Sequence, residues 1–217
     1  MKTSVTLVRK EEQTVGTWAG GTTTQLAIWP PEADYKLRNF MWRISTARVD
    51  LEESVFTSLP GFHRLLMILE GSVRLTHEEH HEADLSAFEQ DSFEGGWSTT
   101  SRGRCVDFNL MTAQESEGKI QALRNISEEL CVALFDFHPT PDRSVLLTEA
   151  FYCLQDGLEA WLSEGEETRK MQLNRGDLLM LQIESTLRKE KAELRFKGID
   201  EKNVWSIRAS IASRAVV

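Results

Sequence analysis

The chain has 217 residues and a formal net charge of −9, enough for one large or two small all-β domains with a real core. Apolar residues make up 41% and charged residues 27%, as in an ordinary globular protein; the acidic surplus argues against general nucleic-acid binding, because no basic excess is there to neutralise phosphates. The opening MKTSVTLVRKEEQ has no apolar signal-peptide core, and no apolar run approaches the roughly 20 residues of a membrane helix, so a cytoplasmic protein without a membrane partner is expected.

In chain order, W18-A-G-G-T-T-T-Q25 comes first. Its glycines permit close backbone approach and its threonines offer hydroxyls, so it is either a ligand-facing loop or a tight turn into a strand over Gln25 to Trp29. It lacks the G-K-[ST] ending of a phosphate loop. Trp42 to Val49 alternates with period two, setting Trp42, Ile44 and Thr46 opposite Arg43, Ser45 and Ala47. Phe62 to Leu69 and Ser72 to Thr76 flank Glu70-Gly71 and read as a β-hairpin, glycine supplying the positive φ of the turn. The histidines of H77-E-E-H80-H81-E82 would suit a metal on a helix, yet after a strand and among acids they read as a solvated hairpin tip. Cys105 to Met111 alternates again, with Asp107, Asn109 and Met111 on one face.

Ala113 to Leu130 is ambiguous between strand and helix. Residues 130–137, 144–155, 158–164, 177–184, 192–198 and 204–212 read as strands, broken by acidic-Gly or basic-Gly turns such as Asp156-Gly157 and Arg175-Gly176, with a short helix or turn at Glu184 to Glu190. Many short strands at such spacing make the fold class all-β, a sandwich or barrel with few short helices. A weak repeat relates 65–75 to 151–161, each a strand, an acidic-Gly step and a strand. It points to two packed cupin-like barrels, or jelly rolls, over residues 1–115 and 116–217, with strands exchanged between the halves and the pocket in the first. Cys105, Cys131 and Cys153 form no C-x-x-C pair and sit in apolar runs, as buried free thiols of a reducing compartment would.

A metal-binding cupin carries a His-x-His pair, then Glu, then Gly seven residues later. Counting back from Gly71 lands on Arg64, and from Gly157 on Ala150, with no histidine pair upstream of Arg64. No metal and no cofactor are therefore expected. Arg64 is either a fixed cation for a carboxylate or other anion, held by bidentate hydrogen bonds, or a structural arginine paired with an acid. Asp107 and Asn109 could bind a ligand or hold that arginine. Cysteine and serine nucleophiles have no supporting motif, and no G-x-S-x-G occurs.

The segments W18-A-G-G-T-T-T, F40-M-W-R-I-S, L59-P-G-F-H-R64, L69-E-G71, F88-E, T99-T-S-R-G103 and D107-F-N-L-M resemble the HutD/Ves family in order and spacing through the first half of the chain. Ala19 and Thr22 depart from the family's Asn and Gly. The resemblance implies a metal-free double cupin, associated with histidine utilisation, whose polar pocket falls on Trp18, Thr23, Arg43, Arg64, Asp107 and Asn109. The expected function is binding of a small anionic metabolite with a regulatory or accessory role. The alternatives are a metal-free enzyme of isomerase, hydrolase or lyase type with Asp107 as base, or a structural or interaction module. The expected partner is that metabolite, with a homodimer open as the assembly.

Overall fold

The structure, a computed structural model, describes residues 3–124, 127, 129–135, 145–185, 193–199 and 203–214. All regular elements among them are strands apart from one 3-10 turn, Lys10–Glu12. In the first part of the chain these are β1 (Ser4–Val8), β2 (Thr14–Trp18), β3 (Gly21–Trp29), β4 (Trp42–Val49), β5 (Glu53–Val55), β6 (Phe62–His77), β7 (His81–Ser86), β8 (Gln90–Glu94), β9 (Thr99–Arg102) and β10 (Cys105–Ala113). There follow β11 (Ser116–Leu123), β12 (Glu129–Ala133), β13 (Val145–Cys153), β14 (Leu158–Glu164), β15 (Glu167–Leu173), β16 (Leu178–Ser185), β17 (Glu193–Lys197) and β18 (Ser206–Arg214). The ambiguous stretch after Ala113 holds the strand β11 and the start of β12, with residues 125, 126 and 128 outside the described residues, and the helix or turn expected up to Glu190 falls largely outside them too.

The chain divides into two compact units, one of Gln13–Glu117 and one of Met1–Glu12 together with Gly118–Val217. In the composite unit, a sheet of order β1-β16-β13-β18-β11 accompanies a sheet of order β12-β17-β14-β15. Phe151 of β13 meets Phe196 of β17 at 5.2 Å, and Phe196 meets Trp205 at 4.7 Å, forming the centre of its apolar core. The N-terminal strand takes the edge of β16, pairing Ser4 with Gln182 through to Val8 with Leu178, while Val5 and Leu7 pack on that core.

In the central unit, β2-β3-β4-β10-β6 run side by side, with β8 on the far edge of β6. The long β6 corrects the hairpin expected at Glu70-Gly71. Phe62–Leu69 does not pair with Ser72–His77; the first segment lies between β10 and β8, the second between β7 and β9. Gly71 sits at φ +81, where a Cβ would come 2.4 Å from the carbonyl oxygen of Arg104. The strand bends there and passes from one sheet into another. Gly157, at φ +72, likewise separates β13 from β14, which belong to different sheets. The two glycines of the sequence repeat are corners of the same kind.

Both faces of β4 and β10 are buried over most of their length. Trp42, Ile44, Phe108 and Leu110 fill one side. The alternating polar residues Arg43, Ser45, Asp107 and Asn109 therefore go into the interior, and not to water. Of the cysteines, Cys105 and Cys153 are buried as expected, whereas Cys131 is exposed on the short strand β12. No described helix is long and apolar enough to cross a membrane.

Candidate functional site

The interior face of the central unit is laid out by strand register, since directly opposed residues of antiparallel strands point the same way. One cross-strand row reads Arg43, Met111, Arg64, Phe93; the next reads Gln25, Ser45, Asn109, Leu66; the third reads Thr23, Ala47, Asp107, Ile68. Four of the six residues expected from sequence, Arg43, Arg64, Asp107 and Asn109, thus converge in adjacent rows and are all buried. Thr23 shares their face two strands out from Asp107. Trp18 does not join them: it is 41% exposed at the end of the edge strand β2, and its ring covers Gly20 so closely that a Cβ there would lie 2.0 Å from it.

The two arginines are held differently. Arg43 donates from Nε to Gln25 Oε1 at 2.9 Å and from Nη1 to Ser45 Oγ at 3.0 Å, with its guanidinium 4.5 Å from the Tyr35 ring centre. Arg64 has aromatic walls: Phe56 at 4.7 Å and Phe93 at 5.2 Å from the guanidinium carbon. Its Nε, although buried, has no hydrogen-bond acceptor, and Asp107 Oδ1 and Asn109 Oδ1 also lack partners. Apolar clusters surround this polar patch, one with Phe93, Leu66 and Ile68, another with Phe40, Phe62 and Met111.

Burial dominates the electrostatics. It pulls Arg64 down to about 10, against the opposing pull of Asp107, and it lowers Arg43 with Tyr35 acting the other way. It pushes the Asp107 carboxyl up to about 7, although the Arg64 charge and a backbone hydrogen bond from Ala47 favour the ionised form. A buried donor and two buried acceptors left unmatched side by side are costly unless something fills them. A planar anion presents acceptors to Arg64, and protonated Asp107 would offer it a further donor.

Sequence reasoning missed Gln25, Ser45, Tyr35, Phe56 and Phe93. Ser45 was legible in principle, because it shares the alternating face of β4 with Arg43; Gln25, on β3, reaches Arg43 only through strand pairing. The aromatic walls come from other segments, Tyr35 and Phe56 from before β4 and β6 and Phe93 from β8, and no period or spacing in the sequence marks them.

Other clusters are self-contained. In the composite unit Glu149, beside the position Ala150 found by counting, accepts from Arg208 Nε and Nη2 at 2.8 Å each, from Ser210 Oγ at 2.6 Å and from the Phe135 amide at 2.8 Å. That is a saturated structural ion pair. The histidine tip also departs from expectation: His77 is buried and bonded to Asp91 and Thr99, so that only part of the tip is solvated.

The HutD family model matches residues 10–200. This chain belongs to the HutD family. Among solved structures it is similar to the conserved protein of unknown function PA5104 from Pseudomonas aeruginosa PAO1, at 22% identity over 97% of this chain and 98% of that one, with a TM-score of 0.72. It is also similar to HutD from Pseudomonas fluorescens SBW25, at 18% identity over 98% and 100% of the two chains, with a TM-score of 0.66. Oxalate decarboxylase from Lactobacillus farciminis shares the fold at 9% identity, covering 97% and 86%, with a TM-score of 0.56. No curated protein matches the sequence. The fold of this HutD-family chain is an all-β double cupin, as the resemblance implied.

Proposed function

We propose that the central unit of this HutD-family protein binds a small anionic metabolite through Arg64 and Arg43, without a metal at that position, and serves a regulatory or accessory role in histidine utilisation. The observation that carries this reading is Arg64, buried between Phe56 and Phe93 with its Nε unbonded. A guanidinium kept in a low-dielectric site without an ion-pair partner among the described residues is matched best by a carboxylate, whose two oxygens fit its fork. Arg43, positioned by Gln25 and Ser45, is a second cation on the same face. Thr23, and Trp18 if it folds over an occupant, would complete the outer wall. The P. fluorescens HutD structure is described for a formate condition, and formate is the simplest carboxylate to try.

Calorimetric titration with formate, urocanate and formylated glutamate tests the proposal. At least one acid should bind with Kd below about 1 mM, and Arg64→Ala should weaken it by about 30-fold or more, the scale of losing one partner of a buried charge pair. No binding tighter than millimolar, or an unchanged Kd in Arg64→Ala, overturns it. A second reading, a metal-free cupin enzyme with Asp107 as general base, rests on a carboxyl that burial pushes up to about 7 beside Arg64. Turnover of a bound acid that disappears in Asp107→Asn would select the enzyme; binding without turnover leaves the binding protein.

A further inference from the structure

His77 closes β6 and His81 opens β7; they are register partners across the hairpin whose tip is Glu78 to His80, so both rings project from the same face. Their ring centres are 4.6 Å apart. Asp91, from β8, completes the group: its carboxylate lies 2.9 Å from His77 Nε2 and 3.1 Å from His81 Nε2. One ligand atom from each of the three lies within 4.8 Å of the others, the one such group of three among the described residues. We propose that His77, His81 and Asp91 form a binding site for a divalent first-row transition ion of the zinc, cobalt or nickel kind, separate from the arginine patch.

Ligand spacing supports it. Two ligands in cis positions about 2.1 Å from an octahedral ion stand about 3.0 Å apart, the separation already held between each imidazole nitrogen and the carboxylate. Two imidazoles with one carboxylate are a donor set for borderline ions, not for calcium. The outer partners are those a metal site uses. His77 Nδ1 is 2.8 Å from Thr99 Oγ1, whose hydroxyl is turned toward the Trp97 carbonyl at 3.4 Å. With an ion bound, Nδ1–H donates to Thr99 and the Nε2 lone pair of neutral His77 faces the ion; without one, the bond to Asp91 takes a proton on Nε2. Asp91 Oδ1 in turn accepts the Ser92 amide at 2.8 Å. Second partners of this type fix the tautomer and aim the ligand.

The surroundings form a half-open cup. Phe93 lies 4.4 Å from the His77 ring and Trp97 stands edge-on at 5.7 Å, excluding water from the inner side. The His81 side chain, 40% exposed, gives an ion its entry, and leaves positions for water. His80, the middle histidine of the motif, is stacked on Trp97 at 3.7 Å and is not in the group. The three ligands are thus assembled by a hairpin register and a third strand, with Asp91 ten residues beyond His81.

The test is metal binding by the full-length protein without any organic acid, followed by cobalt absorption and by zinc calorimetry. One ion per chain should bind. Asp91→Asn and His81→Ala, both at partly accessible positions, should each weaken binding by about tenfold or more, and Thr99→Val by about tenfold through the outer partner. His80→Ala should leave it unchanged. No binding, or loss in His80→Ala equal to that in His81→Ala, overturns the proposal and reduces the motif to a chelating surface tip. Unchanged circular dichroism in each variant separates lost ligands from lost fold. Because no acid is present, the outcome is independent of the arginine patch.

Discussion

At the scale of single residues, the central unit works by placing charge where water cannot reach it. Asp107 illustrates the consequence. Its folded carboxyl titrates near 7 because of burial, whereas in the unfolded chain it titrates near 4. Between these values the folded state holds a proton that the unfolded state has released, so stability falls as pH rises through that window and levels off above it. Urea melts between pH 5 and 8 should therefore show the wild type losing stability relative to Asp107→Asn as pH rises. Anion affinity should weaken over the same range, because an ionised Asp107 would face the ligand, and this dependence should flatten in Asp107→Asn. A stability difference between the two proteins that does not change with pH would show that Asp107 is not held protonated. The buried thiols follow the same rule: burial raises Cys105 to about 12 and Cys153 to about 11, which leaves both inert at neutral pH.

At the scale of elements, the bent strand β6 is what unites the parts of the central unit. Its first segment carries Arg64 against β10, and its second carries His77 against β7 and β9. The corner depends on Gly71, which combines a positive φ with a carbonyl 2.4 Å from any Cβ. Gly157 shares the positive φ but would place its Cβ in open space. Gly157→Ala should then cost about 1 kcal/mol from backbone strain alone. Gly71→Ala should cost more, about 2–3 kcal/mol, since the strand must also move away from Arg104. Chemical denaturation of the two variants gives the comparison, and equal losses would mean that the close approach relaxes freely. The hairpin reading failed here because a strand–Gly–strand pattern looks the same locally whether the chain reverses or turns a corner. Only the partners on either side distinguish the two.

At the scale of the whole molecule, the chain's first residues complete the composite unit. Beyond the pairing of β1 with β16, Arg9 Nη1 donates to Asp177 Oδ2 at 2.7 Å and the Lys10 amide to Asp177 Oδ1 at 3.1 Å. A chain beginning at Gln13 should lose this edge strand, leave the buried Asp177 with the Asn174 amide but without Arg9 and Lys10, and expose the β16 edge. Its thermal midpoint should fall by several degrees, and size-exclusion chromatography should show association. A midpoint equal to that of the full chain would make β1 dispensable.

Alternation, glycine spacing and the absence of long apolar periodicity were enough to determine an all-β chain of two related halves, because strand period and turn chemistry are local properties. Local too was the replacement of the usual metal-ligand position by Arg64, and the shared face of Asp107 and Asn109. Tertiary structure alone decided which polar faces are interior: β4 and β10 are covered on both sides, which buries Arg43 and Asp107. It also decided that Trp18 stands apart, that Phe56 and Phe93 wall Arg64, and that Asp91 meets His77 and His81. These are contacts between different segments, set by strand register and by the bend at Gly71, which neither period nor spacing along the sequence reveals.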